Sequence, residues 1–399
     1  MLTSLALIFL LGLLLGWIFN KLRLPSLLGM IITGIILSPY ALNLLDESLL
    51  NISADLRQLA LVIILTRAGL SLDIGDLKKV GRPAILMCFL PACFEILAVI
   101  LIAPKIFGLS ILEAAIMGSV LAAVSPAVIV PRMIKLIEEG YGKEHSIPQL
   151  ILAGASVDDV FVIVMFTAFT SLAVGGNVGV MNFVEIPISI ILGIIVGIIL
   201  GIILIKFFKA FHMRDSIKLI IILSASFLLI ELESQLKGIV PISGLLAIMS
   251  VGIIIKQKYN ILGKRLSGKY NKLWVGAEVL LFVLVGATVD LSYAFKTGVS
   301  AIIVVIGALA IRMLGVYICL IRTKITVKER IFCMLAYTPK ATVQAAIGSI
   351  PLSMGLASGQ QVLTVAVLSI LITAPFGAIC VDKSYKKLLA LNSGIEQWH

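Results

Sequence analysis

About thirteen stretches of this 399-residue chain are apolar for long enough to cross a bilayer, which takes roughly 20 residues as a helix. They lie near 2–19, 24–39, 56–72, 83–103, 111–136, 147–173, 184–205, 216–232, 239–255, 273–289, 299–321, 331–350 and 360–381. Hydrocarbon offers the backbone no hydrogen-bond partner, so runs of this length must satisfy their own N–H and C=O groups as helices. The expected fold is therefore an all-α polytopic membrane protein. Composition agrees: 60% of residues are hydrophobic and 13% charged, and the mean hydropathy is +1.15, far above a soluble domain. The net charge of +11 would suit a nucleic-acid binder only if the basic residues gathered on a soluble face. They sit instead in short loops between apolar runs, so membrane lipids are the expected surroundings and no nucleic acid is expected as a partner.

Those basic residues set the orientation, because cytoplasmic loops carry the excess of Lys and Arg. With the N-terminus outside, the inner loops and the C-terminal tail collect 25 of the 32 basic residues, and the outer loops hold only Arg57, Lys105, Lys237 and Lys296. An odd number of spans then leaves the C-terminus cytoplasmic, in a multi-pass protein of the cell membrane. The remaining three, Arg67, Arg312 and Lys340, fall within spans, where each needs a partner or a water-filled cavity. Residues 1–19 lack the positive start and small-residue cleavage site of a secretory signal and read as a retained first span. Cys88, Cys93, Cys319, Cys333 and Cys380 lie in apolar runs without metal-ligand spacing, so they read as core residues and no cofactor is expected. His145, His212 and His399 all lie outside the spans, which leaves proton handling at mid-membrane to carboxylates.

Two carboxylates are placed for it. Asp158 and Asp159 stand side by side in the run 146–173, which holds no other charge. An ionised carboxylate at mid-bilayer costs at least ~2.5–3.5 kcal/mol, so a cation, a proton or a basic partner must compensate it. A helix-packing ion pair is the plainer reading, but it would not need adjacent acids, whereas intramembrane acids mark ion and proton pathways.

Two spans are broken by sequence. One contains Ser125-Pro126 and Pro131; the other contains Pro339-Lys340-Ala341-Thr342-Val343-Gln344. Proline removes a donor and crowds the preceding turn, so interruptions are predicted at Pro126, Pro131 and Pro339. Irregular backbone at membrane depth is tolerated where it lines a cavity or is buried in protein, and paired broken helices in two halves of a chain point to a transport site. The breaks fall seven spans apart, so equivalent helices run in opposite directions. Glu95 in the fourth span and Arg312 in the eleventh precede them at similar distances. Each half reads as charged helix, broken helix, closing helix, which is an inverted-topology repeat. Gly193, Gly197 and Gly201, at four-residue intervals, mark a seam for close helix approach, within the protomer or at a dimer interface.

At these residues the chain resembles the cation/proton antiporter superfamily, in particular the NHA-type sodium/proton antiporters of the paired-aspartate branch. The segments that carry it are Arg67-Ala-Gly-Leu-Ser-Leu-Asp73, Ala123-Val-Ser125-Pro126-Ala-Val-Ile-Val-Pro131, Gly154-Ala-Ser156-Val-Asp158-Asp159 and Pro339-Lys340-Ala-Thr342-Val-Gln344-Ala-Ala-Ile-Gly348. The likeness spans residues 60 to 380. It implies a 13-helix inverted-repeat fold, a homodimer, and a mobile core working against a dimerisation domain. It also implies that Asp159 is the central ion-binding carboxylate, transiently holding Na+, and that Glu95 pairs with Arg312. Many members place an aspartate or threonine before the first proline; here it is Ser125, as in the NHA group. The expected organisation is N-terminal dimerisation helices over 1–55, a first transport repeat over 56–173, linking and dimerisation helices over 174–272, a second repeat over 273–381 and a cytoplasmic tail from 382.

The mechanism expected is exchange of Na+ or Li+ for H+ by alternating access, with no enzymatic step. Neighbouring helix positions point about 100° apart, so the two acids differ in role. Asp159 is assigned to the crossing of the broken helices, and Asp158 is expected to lean toward Lys340. Ser125, Ser156, Thr342 and freed carbonyls supply the neutral oxygens a hard cation prefers. Lys340 doubles as a candidate proton-releasing partner, a role an arginine does not fill at ordinary pH; Glu95 and Arg312 are therefore read as a structural pair. Arg67 is given a structural role with Asp73 as a possible partner, and His145, among Glu138, Glu139 and Glu144, is weighed as a pH sensor against a plain loop histidine. A K+/H+ antiporter on the same fold is the nearest alternative. An intramembrane aspartyl protease is more distant, since its carboxylates must oppose each other and share a proton; Asp290 is too shallow to supply the second. A channel would need a ring of equivalent residues.

Overall fold

The computed structural model describes residues 1–71, 81–174, 180–236, 240 and 242–391, and leaves the side chains of 156 and 174–187 undescribed. Asp73, Lys78, Lys79, Lys237 and His399 therefore lie outside the described residues, as does the Ser156 side chain. The described residues form eighteen helices: α1 Leu2–Lys21, α2 Ser26–Leu37, α3 Glu47–Asn51, α4 Ser53–Ser71, α5 Arg82–Met87, α6 Leu90–Phe107, α7 Ile111–Leu121, α8 Pro126–Glu139, α9 Ile147–Val174, α10 Val180–Ala210, α11 Asp215–Gln235, α12 Gly244–Lys258, α13 Asn260–Ala287, α14 Leu291–Cys319, α15 Val327–Ala336, α16 Thr342–Ile347, α17 Ile350–Ser353 and α18 Gly359–Leu388. Among the described residues, each predicted span contains helix. Eight helical stretches are long and apolar enough to cross a membrane; the other five predicted spans fall on α2, α4, α11, α12 and the pair α15–α16, which are shorter, more charged or interrupted.

The starts of the two broken helices are written in the same local chemistry. At α7, Ser110 accepts from the Glu113 N–H while Glu113 accepts from the Ser110 N–H; at α15, Thr326 and Glu329 do the same. These reciprocal capping boxes satisfy two otherwise orphaned donors at each helix start. Gly108 and Gly140, at φ 70° and 84°, end α6 and α8 in the left-handed region that an L side chain resists.

The chain divides into two compact units. The first comprises Met1–Leu13, Thr33–Asp73 and Ile163–Thr288, and α4 lies there against α12 and α13. Arg57, counted by sequence as an outer-loop residue, is a buried helical residue of this unit. It donates from Nε to the Ser53 carbonyl at 3.2 Å and from Nη1 to Thr288 Oγ1 at 3.3 Å. The glycine seam is internal to the protomer: α10 packs on α12. A Cβ at Gly193 would lie 2.6 Å from the Ser243 carbonyl oxygen, and one at Gly197 would lie 2.6 Å from Ser250 Cβ.

The second unit comprises Leu14–Ile32, Ile74–Val162 and Val289–His399. Its main packing is α14 on α6, α6 on α7, and α18 on α14 and α15. One predicted break is corrected. Pro131 sits inside the continuous helix α8, and the interruption is confined to 122–125, ahead of Pro126. Pro126 occupies the first helical position, where no N–H is needed. Pro131 withholds the helical donor from the Ala127 carbonyl, yet the helix continues through it; beside it Arg132 Nη1 donates to the Val128 carbonyl at 2.9 Å.

Filling the glycine seam should destabilise the first unit. Gly197→Val should cost about 1–3 kcal/mol through overpacking and lower the detergent melting temperature, while Gly268→Val, where an added Cβ meets nothing within 4 Å, should lower it less.

Candidate functional site

The site is built inside the second unit from four helices and two breaks. After Leu121 the backbone runs non-helically to Ser125, and after Ala336 it does so to Ala341. The stranded polar groups of each break are satisfied by the other. The Ser125 N–H donates to the Pro339 carbonyl at 2.8 Å. Gln344 accepts from the Ala341 N–H at 2.9 Å and donates through Nε2 to the carbonyls of Leu121 and Ala123, at 3.2 and 2.9 Å. The Lys340 N–H is taken by Thr373 Oγ1 of α18 at 3.0 Å. The two broken helices are thus tied together by one backbone bond and one amide side chain.

Four charged side chains close around this crossing. Arg312 of α14, fully buried, donates from Nη1 to Glu95 Oε2 at 2.9 Å and from Nη2 to Asp158 Oδ2 at 3.0 Å. Its Nε reaches the Tyr337 carbonyl at 3.1 Å, and Nη1 also reaches the Ala122 carbonyl, so the guanidinium grips both breaks. Lys340 Nζ lies 2.8 Å from both Glu95 oxygens, its hydrogen bond going to Oε2. Asp158 Oδ2 accepts a further bond from the Val124 N–H at 2.8 Å. One turn before Asp158, Gly154 leaves room for the Tyr337 hydroxyl, which a methyl group there would overlap.

This geometry corrects the expected pairing. Lys340 is held by Glu95, and Asp158 is held by Arg312 and the first break. The reason is reach. The short aspartate side chain on α9 meets the long arginine projecting from α14, while Glu95 extends far enough to serve both cations. Glu95 and Arg312 do pair, but as two members of a four-group network.

Asp159 stands apart from that network. It is 9% exposed, its Oδ1 is buried without a hydrogen-bond partner, and no ion pair to it occurs among the described residues. Ser125 Oγ and Asp158 Oδ1 are likewise buried without partners. Ser125 caps α8 by position yet makes no side-chain capping bond. Thr342 is buried as the first residue of α16. Two buried acids and two buried bases cancel, which leaves one carboxylate that must take up a proton or a cation.

Three residues were missed or misplaced by sequence reasoning. Gln344 stands out in the sequence only as part of a motif, though it bridges the breaks. Glu278 of α13 supplies the charge that Arg67 faces within the first unit, where the Arg67 guanidinium also lies 5.9 Å from the Trp274 ring centroid; an acid inside an apolar run was the available signal. His145 is no free loop residue: its Nδ1 lies 2.9 and 3.0 Å from the two Glu329 oxygens. Asp290 caps α14, accepting from the Tyr293 N–H at 3.1 Å.

The sequence matches the family model described as "Sodium/hydrogen exchanger, transmembrane" over residues 6–382. It is 32% identical over 381 residues to human sodium/hydrogen exchanger 9B2, covering 92% of this chain and 70% of the relative. It is also 32% identical over 381 residues to human sodium/hydrogen exchanger 9B1, covering 92% and 73%. The fold superposes on the sodium proton antiporter MjNhaP1 from Methanocaldococcus jannaschii with a TM-score of 0.83 and 20% identity, covering 97% of this chain and 98% of that one.

Removing one member of the network should expose another. Glu95→Gln leaves Lys340 without its carboxylate and should cost about 3–5 kcal/mol; adding Lys340→Met restores charge balance and should recover most of the lost melting temperature. At the loop-side start of α15, ahead of the predicted span, burial acts to raise the Glu329 carboxyl, but bonds from His145 and Thr326 hold it below the usual carboxylate range. A carboxyl lowered in the folded state contributes stability above its unfolded value of about 4.3 and loses it as pH falls through the folded value. Glu329→Gln should therefore melt below wild type at pH 7, with the gap closing below about pH 4.

Proposed function

The chain belongs to the sodium/hydrogen exchanger family, and we propose that it exchanges Na+, or Li+, for H+ by alternating access, with Asp159 holding cation and proton in turn. At the coarser level it is a multi-pass membrane cation/proton antiporter and not an enzyme. The observation that carries the finer reading is the isolation of Asp159 beside a charge network that is complete without it.

A single uncompensated carboxylate in a low-dielectric setting binds H+ or a monovalent cation, and the two exclude each other. Exchange follows if the empty, ionised carrier crosses poorly, because the bare charge then carries the full desolvation penalty. Ser125 Oγ and Asp158 Oδ1, both buried without partners, together with Thr342, Ser156 and carbonyls of the breaks, are assigned as oxygen ligands for the dehydrated cation. Oxygen donors suit a hard ion. Asp158 accepts two bonds on Oδ2 and keeps Oδ1 for this role.

Arg312 and Glu95 are assigned to hold the two repeats in register. Lys340 is assigned as the cation that keeps the network neutral. Its release of a proton would leave the network one charge negative, so the exchange is taken as one cation for one proton. Transport repeats over 56–173 and 273–381, dimerisation through the remaining helices, a homodimer, and an outward N-terminus in the cell membrane complete the proposal. The same site with K+ as cargo is the competing reading.

In proteoliposomes, Na+ or Li+ gradients should drive proton movement at a rate unchanged by a valinomycin-clamped voltage, and K+ gradients without valinomycin should not. Asp159→Asn should abolish the exchange, at least 100-fold, as expected for loss of the only exchanging carboxylate. Normal exchange by that variant would return Asp159 to a structural role, and acceleration by voltage would mean that Lys340 also gives up its proton.

A further inference from the structure

One hydroxyl in the second unit is buried at a cost that neither the packing nor the charge network explains. Tyr337 ends α15 at the second break and is 1% exposed, and its Oη is buried without a hydrogen-bond partner. It shares an apolar cluster with Met87, Ile151, Ala155 and Val316. An unpartnered hydroxyl is destabilising in such surroundings, and phenylalanine would fill the space without that penalty.

A second local cost falls at the same contact. The hydroxyl abuts Gly154, inside the 28-residue helix α9, and glycine within a helix is less stable than alanine. A methyl group at 154 would overlap the Tyr337 oxygen and stand 3.0 Å from Met87 Cβ. Tyrosine and glycine are each the less stable choice for their own place, and they are complementary at one oxygen atom.

We infer that Tyr337 is a positioning residue of the transport site, its hydroxyl serving as the alternate hydrogen-bond donor to Asp158 Oδ1 while no cation occupies that oxygen. The inference rests on the antiport reading above and deepens it: Oδ1 is assigned there to the cation, and the phenol competes for it.

The placement of the two groups supports the competition. Gly154 precedes Asp158 by four residues, so both lie on one face of α9. Helical side chains lean toward the N-terminus, which carries the Asp158 carboxylate back over the turn that Tyr337 touches. The two side chains are electrostatic neighbours, and Arg312 ties both to one guanidinium. Its Nη2 bonds Asp158 Oδ2 at 3.0 Å, its Nε bonds the Tyr337 carbonyl at 3.1 Å, and its Cζ lies 5.6 Å from the phenol ring centroid. Asp158 Oδ1 is itself buried without a partner. A donor lacking an acceptor and an acceptor lacking a donor thus stand within about one helical turn of each other.

The two uses of Oδ1 exclude each other. With a cation bound, Oδ1 ligates it and the Tyr337 hydroxyl stays unpartnered. With the cation gone, Oδ1 accepts from Tyr337, which keeps its proton throughout. A hydrogen bond to a charged acceptor is among the stronger ones, so it stabilises the cation-free form and weakens cation binding. Tyr337 thereby sets how readily the cation leaves.

The test compares full-length wild type, Tyr337→Phe, Gly154→Ala and the double variant by Na+-driven proton exchange in proteoliposomes, Na+ titration calorimetry and thermal melting. Removing the competing donor in Tyr337→Phe should tighten Na+ binding about fivefold, lower KM without raising kcat, and leave the melting temperature at or above that of wild type. A residue that only filled the core would lose stability or raise KM. Unchanged or weakened Na+ binding in Tyr337→Phe overturns the inference. Gly154→Ala should melt below wild type, and adding Tyr337→Phe should recover part of the loss because the overlapping oxygen is gone. Strictly additive effects would remove the contact on which the inference stands. If wild type exchanges and Tyr337→Phe matches it in KM and affinity, this inference fails alone. If wild type moves no protons on any alkali-cation gradient, the antiport reading fails and this inference with it.

Discussion

The structure around the transport site depends on one constraint: a charge in a low-dielectric interior must meet an opposite charge or be neutralised. Arg312 meets it twice over, gripping Glu95 and Asp158 while its remaining donors take carbonyls at both breaks. That single guanidinium joins α6, α9, α14 and the two irregular segments. A lysine in its place would offer a point charge without the planar fork, and could not hold two carboxylates and two carbonyls at once. Lys340, on the same Glu95 carboxylate, then supplies the positive charge that balances the second acid of the network. Neutrality is reached with four residues, which is what makes the fifth, Asp159, chemically distinct from its neighbour.

The breaks obey the same logic applied to the backbone. A helix interrupted at membrane depth strands N–H and C=O groups that lipid cannot satisfy. Here two interruptions are placed so that each supplies what the other lacks, with Ser125 donating to Pro339 and Gln344 serving as donor to one break and acceptor to the other. Each break thus takes part of its hydrogen bonding from the other, as the paired interruptions of an inverted repeat allow.

Much of this was legible in the sequence. Long apolar runs, two prolines at equivalent places, an arginine and a lysine within spans, and an acid pair specify the helices, the breaks and the residues that must be compensated. What sequence spacing does not carry is partner choice. On paper Asp158 leans toward Lys340 and Glu95 toward Arg312; only packing shows that Glu95 is long enough to take Lys340 as well and leaves Asp158 to Arg312. The same holds for Arg67: the acid whose charge it feels, Glu278, lies more than 200 positions along the chain, and Asp73 lies outside the described residues. Pro131 misleads for a local reason: a proline signals a possible break, but within a helix it removes a single i−4 bond, and α8 runs on past it. The capping boxes at Ser110 and Thr326 were readable as S-x-x-E and T-x-x-E, and would have marked the repeat independently of the prolines.

The division of labour between the paired aspartates follows from helix geometry alone. Adjacent side chains diverge by about 100°, so one surface of α9 can commit its acid permanently while the next residue faces elsewhere. Had both carboxylates been free, the site would carry two negative charges and would favour two monovalent ions or a divalent one. Had both been paired, it would bind nothing. Fixing Asp158 with Arg312 and the Val124 N–H leaves a deficit of one charge. A proton and a monovalent cation each fill that deficit, and neither fills it while the other is bound. In the proposed exchange the neutral network is therefore part of the selectivity: it sets the charge of the cargo before any ligand oxygen discriminates by size.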